Sequence, residues 1–84
     1  MRLEHKICLV TGAASGIGEA IAQAFVAEGA TVLVTDRNVS GAWRVAHAIG
    51  AEAAELDVRE PEHWQSVIDA LLTREGRLDV LVNN

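Results

Sequence analysis

Short apolar runs alternate with longer stretches of helical spacing from one end of the chain to the other. Residues 6–11 (KICLVT) form a brief, nearly uninterrupted apolar run, which predicts a strand buried on both faces. From residue 16 the period changes. Ile17, Ala20, Ile21, Ala24 and Phe25 recur at i, i+3 and i+4, predicting a helix over 16–28 that Gly29 closes. Residues 31–35 (TVLVT) predict a second buried strand, ending at Asp36. Residues 39–49 (VSGAWRVAHAI) predict a helix weakened by Gly41, with Val39, Trp43, Ala46 and Ile49 as its inner stripe and Gly50 as its stop. Residues 53–58 (AAELDV) predict a third, weaker strand. Pro61 suits the first turn of a helix. Trp64, Val67, Ile68, Leu71 and Leu72 supply that helix with an apolar stripe, and Gly76 stops it. Residues 78–82 (LDVLV) predict a fourth strand.

The order βαβαβαβ, with short connections, implies a parallel sheet with helices on its faces. No internal repeat, low-complexity segment or linker interrupts it, so residues 1–84 read as one continuous unit. With 50% hydrophobic and 23% charged residues, the composition is that of a globular chain. A net charge of −5 with no basic face argues against nucleic acid as a partner. No apolar run approaches the roughly 20 residues that span a bilayer, and the N-terminal run is too short for a secretory leader. One cysteine, Cys8, sits within the first strand and has no disulfide partner. A cytoplasmic protein with Cys8 as an inert core thiol is the expectation.

The stretch TGAASGIG, residues 11–18, joins the first strand to the first helix. Gly12 lets the chain turn sharply out of the strand. Gly16 leaves room for a ligand to approach the backbone, and Gly18 lets the helix pack closely on the sheet. A helix N-terminus offers unpaired N–H groups and a partial positive charge, which together suit a pyrophosphate. Ser15 adds a hydroxyl donor, and the main chain at Ile17 lies where a dinucleotide would pass. A bare strand–helix turn would use the same glycines. Asp36 tips the balance toward a ligand, because an acidic residue ending the second strand is where the adenosine ribose of a dinucleotide is recognised.

The spacing GxxxGxG, unlike GxGxxG, resembles the TGxxxGxG motif of the short-chain dehydrogenases/reductases. Asp36 after the second strand, Asp57-Val58 after the third and Asn83-Asn84 after the fourth agree with that family in order along the whole chain. The resemblance implies a Rossmann-like, doubly wound parallel sheet in the order 3-2-1-4, with two helices on one face and one on the other. It implies that Gly12, Ser15, Gly16, Ile17 and Gly18 line the pyrophosphate turn and that Asp36 holds the ribose hydroxyls. A carboxylate there repels a 2′-phosphate, favouring NAD(H). Arg37 leaves NADP(H) open, because a basic residue after the strand can receive that phosphate; a solvated loop charge is its plainer reading. Asp57 would accept from the adenine amino group with Val58 beside the ring, although a strand-end carboxylate facing water is the bland alternative. Asn84 would lie near the cofactor ribose, while Asn83 ties the strand end into the sheet.

Other polar residues read as structural. His5, His47 and His63 lack metal-ligand spacing, and no metal site is expected. Trp43 and Trp64 fall on apolar stripes, and Glu60 and Glu62 flank Pro61 where a helix dipole favours carboxylates. The family's chemistry is hydride transfer between nicotinamide and an alcohol or carbonyl, with a Tyr-x-x-x-Lys pair and a serine located after the fourth strand. This chain has no tyrosine, so no residue is assigned a catalytic role. The resemblance therefore implies the N-terminal part of a dinucleotide-binding domain, cut after its fourth strand, from an oxidoreductase that assembles as a homo-oligomer. By themselves these residues would be marginally stable and prone to associate. A stand-alone, non-catalytic nucleotide-binding module is the alternative, and a remnant that binds nothing is a third reading.

Overall fold

The computed structural model describes residues 2–84. Its elements run β1 (Ile7–Val10), α1 (Gly16–Ala27), β2 (Thr31–Asp36), α2 (Val39–Ile49), β3 (Glu52–Glu55), α3 (Pro61–Glu75) and β4 (Val80–Val82). The strands pair in parallel in the order β3-β2-β1-β4, the Rossmann-like arrangement that the motifs imply. Leu9, at the centre of β1, lies in register between Leu33 of β2 and Leu81 of β4.

Alternation along the strands divides the core into two layers. Cys8, Val10, Val32 and Val34 pack against Ala22, Ala42, Val45 and Ala46 of α1 and α2. Ile7, Leu9 and Leu33 point the other way and meet Leu56 together with Val67 and Leu71 of α3. Two helices thus cover one face and one the other. Cys8 is fully buried, and that burial pushes its thiol pKa up.

Three local differences from the sequence reading have physical causes. The third strand starts at Glu52 and ends at Glu55, where residues 53–58 were expected. Leu56 N–H still bonds the Asp36 carbonyl at 3.0 Å, but β2 ends there, so Asp57 and Val58 have no strand to pair with. The fourth strand begins at Val80. Ahead of it the Asp79 carboxylate, and not a main-chain carbonyl, accepts from Ile7 N–H at 2.8 Å, while Asp79 N–H donates to the Ile7 carbonyl at 2.8 Å. In α2 the buried positions are Gly41, Ala42, Val45 and Ala46, and Trp43 is 51% exposed. At Gly41, α2 sits close to the turn after β1. A Cβ on Gly41 would lie 2.9 Å from the Ala14 Cβ. Gly41 therefore permits that approach. Asn38 starts the helix by accepting from Gly41 N–H at 3.1 Å.

Two measurements follow from this packing. Trp43→Gln is expected to change stability by no more than about 0.5 kcal/mol, whereas Ala42→Leu, which overfills the inner face, should cost about 1–3 kcal/mol in urea melts. Asp79 has a pH signature. The Ile7 N–H and then the Arg77 guanidinium hold its carboxyl below the usual value. The stability it contributes is therefore full above the ordinary aspartate range and disappears as pH falls through the lowered folded value. Asp79→Asn should lower the urea midpoint at neutral pH, and the difference from wild type should shrink below about pH 4.

Candidate functional site

The carboxyl ends of all four parallel strands meet at one edge of the sheet, where α/β proteins of this order place their ligands. A cleft of about 260 Å³ opens there, lined by Gly12, Asp36, Arg37, Leu56, Asp57, Val58, Arg59 and Asn84. Gly12, Asp36, Arg37, Asp57, Val58 and Asn84 are sequence-expected positions that the fold brings together. Ser15, Gly16 and Ile17 lie at the start of α1, outside that lining, and Gly18 is buried beneath the turn.

The turn between β1 and α1 is built by close backbone approach. Gly12 and Gly16 adopt left-handed φ values of 60° and 63°. A Cβ on Gly18 would lie 2.3 Å from the Gly12 carbonyl oxygen, closer than any side chain can come. At Gly16 a Cβ would meet nothing within 4 Å, so the backbone there faces open space. Ser15 takes the N-cap position of α1, but its hydroxyl makes no capping bond and stays available. Ile17 is 73% exposed at the mouth of the helix.

Thr11 ties this turn to the end of β4. Its hydroxyl lies 3.3 Å from both the Val82 carbonyl and Asn83 Oδ1 and accepts from Asn84 N–H at 2.9 Å. The Asn84 amide donates to the Gly12 carbonyl at 3.2 Å. Both asparagines therefore brace the turn. The sequence offered a signal for Thr11 in the threonine that opens TGAASGIG.

Asp36 links the turn to β2. Its Oδ2 accepts from Ala14 N–H at 3.0 Å and its Oδ1 from Asn38 N–H at 2.9 Å. A carboxylate oxygen accepts two hydrogen bonds, so one lone pair on each Asp36 oxygen remains free among the described residues. On its other side the Ala14 peptide is held by Arg44, whose guanidinium donates to the Ala14 carbonyl at 3.1 Å.

The loop from Asp57 to Glu60 forms the opposite wall. Asp57 Oδ1 accepts from both N–H and Nε–H of Arg59 at 3.0 Å, and Oδ2 accepts from Nη2 at 2.7 Å. The side-chain and then main-chain hydrogen bonds from Arg59 hold the Asp57 carboxyl well below the usual carboxylate range. One lone pair of Oδ2 stays free among the described residues. Sequence reasoning missed Arg59, His63 and Trp64 here. Asp57 N–H donates to His63 Nδ1 at 3.0 Å, and Trp64 Nε1–H donates to the Val58 carbonyl at 2.9 Å. Trp64 also packs on the α3-side core, as expected. The acidic pair flanking Pro61 stands at the start of α3, where the helix dipole favours carboxylates. Glu60 is the N-cap residue of α3 but makes no side-chain cap, and Glu62 stands in the first turn.

Comparison with known proteins agrees with this architecture. The family model for short chain dehydrogenases matches residues 6–84. Galactitol 2-dehydrogenase of Agrobacterium fabrum is 46% identical over all of this chain, and sorbitol dehydrogenase of Cereibacter sphaeroides is 45% identical. In both cases the chain spans 34% of the relative's length. The crystal structure of 3-ketoacyl-(acyl-carrier-protein) reductase from Brucella melitensis complexed with NADH superposes with a TM-score of 0.89 at 40% identity, covering 94% of this chain and 33% of that one. No helix among the described residues is long and apolar enough to cross a membrane. With its glycine turn, strand order and family match over nearly every residue, this chain belongs to the short-chain dehydrogenase family and carries its NAD(P)-binding region.

Proposed function

We propose that these residues bind the adenosine and pyrophosphate of NAD(H) for an oxidoreductase that moves a hydride between an alcohol carbon and a carbonyl. The carrying observation is Asp36, which stands beside the glycine turn with one free lone pair on each oxygen. That pattern suits the two adjacent hydroxyls of a ribose. Its charge opposes a 2′-phosphate, which supports NAD(H), and Arg37 is the residue that would soften the preference.

The remaining chemistry of the edge is consistent with this ligand. The open space at Gly16, the free Ser15 hydroxyl and the first N–H groups of α1 suit a pyrophosphate. The free lone pair on Asp57 Oδ2 suits the adenine amino group, and the exposed Val58 gives the ring an apolar neighbour. Asn84 would sit near the second ribose, steadied by its bond to Gly12. When bound, the dinucleotide supplies the hydride donor or acceptor. The residues described here bind and orient it, and proton transfer falls to groups outside these 84, which contain no tyrosine. The polyol dehydrogenases among the relatives support an alcohol as one half of the substrate pair.

Asp36→Ala tests the reading. Charge-assisted hydrogen bonds contribute about 1.5–3 kcal/mol, so NAD affinity is expected to fall by about 10- to 100-fold. Loss of the Ala14 tether should weaken NAD and NADP alike, while loss of the carboxylate weakens NAD alone, shifting the preference toward NADP. Parallel titrations of both cofactors by calorimetry measure this. Equal losses for the two would remove Asp36 from the ribose.

A further inference from the structure

Every polar atom group of Asp57 is engaged. Its carbonyl accepts from Glu60 N–H at 2.9 Å, its carboxylate is held by Arg59, and its N–H donates to His63 Nδ1 at 3.0 Å. The next residue is anchored from the same helix turn, because Trp64 donates to the Val58 carbonyl at 2.9 Å. Two consecutive side chains of α3 thus grip two consecutive residues of the wall that faces the cleft, His63 at the N–H of Asp57 and Trp64 at the carbonyl of Val58. They differ in one respect. Indole has no proton to gain in the ordinary pH range, whereas imidazole does.

To accept at Nδ1, His63 must be neutral with its proton on Nε2. Protonation places a second N–H at Nδ1, facing the Asp57 N–H, so donor meets donor and the tether is lost. We propose that His63 is a positioning residue for the nucleotide base, holding the Asp57–Val58 segment against the cleft, and that its protonation loosens that segment and weakens cofactor binding. The inference rests on the cofactor reading of the cleft given above.

The ionisable groups around His63 are limited. Glu55 of β3 shares a shallow groove with it, alongside Ala54, Ser66 and Val67. Asp57 and Arg59 belong to the loop itself, and Glu60 and Glu62 flank Pro61 at the helix start. β1 and β2 present Ile7, Leu9 and Leu33 to this side, all apolar. Asp57 stays ionised over the range in which histidines titrate, since Arg59 holds its carboxyl low. A change in the loop over that range therefore does not come from the Asp57 carboxylate.

Asparagine places its Oδ1 the same number of bonds from the backbone as histidine Nδ1, accepts a hydrogen bond and does not titrate. Glutamine places its oxygen one bond further out. In the full-length protein, NAD is titrated against wild type, His63→Asn, His63→Gln and His63→Ala at about pH 8 and about pH 5.5, on either side of the usual histidine range. Wild type should lose about three- to tenfold in affinity at the lower pH, the scale of one ordinary hydrogen bond. His63→Asn should keep the high-pH affinity and lose that histidine-dependent drop, while His63→Ala and His63→Gln should be weak at both. Amide exchange of Asp57 reads the tether without any ligand. It should be slow in wild type at the higher pH and in His63→Asn at both, and fast in His63→Ala. Identical pH slopes in wild type and His63→Ala, or an Asp57 amide indifferent to the substitution, would overturn the role of His63. Wild type that holds a slow Asp57 amide yet binds neither NAD nor NADP would instead overturn the cofactor reading, and the proposed effect on binding with it.

Discussion

The Gly12 carbonyl oxygen occupies the space where a side chain on residue 18 would begin. This close approach fixes the architecture of the site. Because α1 can settle directly on the turn that leaves β1, its N-terminal N–H groups open at the sheet edge, where the other strands also deliver their ends. Any Cβ at residue 18 would push the helix away and displace that opening. The same crowding brings the Asn84 amide against the turn, so the end of β4 and the start of α1 are held by one small cluster around Thr11 and Gly12.

Around that turn, the side chains proposed to recognise the dinucleotide also hold the scaffold. Asp36 tethers Ala14 and Asn38 while keeping a lone pair free on each oxygen. Asp57 organises its own loop through Arg59 and still presents part of one oxygen to the cleft. With that doubling, a substitution at either carboxylate disturbs the scaffold along with the proposed ligand contact. Arg44 and His63, by contrast, touch the glycine turn and the Asp57 loop away from these carboxylates, one through the Ala14 carbonyl and the other through the Asp57 N–H.

Much of this was legible in the sequence because it is written in local chemistry. The glycine turn, Asp36 at a strand end and the βαβ alternation each follow from residue type and spacing, while the strand order came from the family resemblance that those motifs carry. What escaped the reading depended on partners distant in sequence or on size. Trp43 is apolar but lies off the buried stripe of α2, Gly41, Ala42, Val45 and Ala46, and the close approach of Gly41 to Ala14 sets which side of the helix faces the sheet. The third strand ended early because β2, its only neighbour among the described residues, ends at Asp36. The fourth began late because an aspartate side chain replaced a backbone acceptor. The His63 contact left no signal in the sequence, since it depends on the loop turning back to bring Asp57 N–H onto its ring nitrogen.

The most direct test of the account is a crystal structure of the full-length protein with NADH. The account predicts both adenosine ribose hydroxyls within hydrogen-bond distance of the Asp36 carboxylate, the pyrophosphate on the main chain of residues 16–18, and the adenine between Asp57 and Val58. Adenosine bound elsewhere, or an Asp36 carboxylate that keeps only its bonds to Ala14 and Asn38 while the ribose lies out of reach, would contradict it.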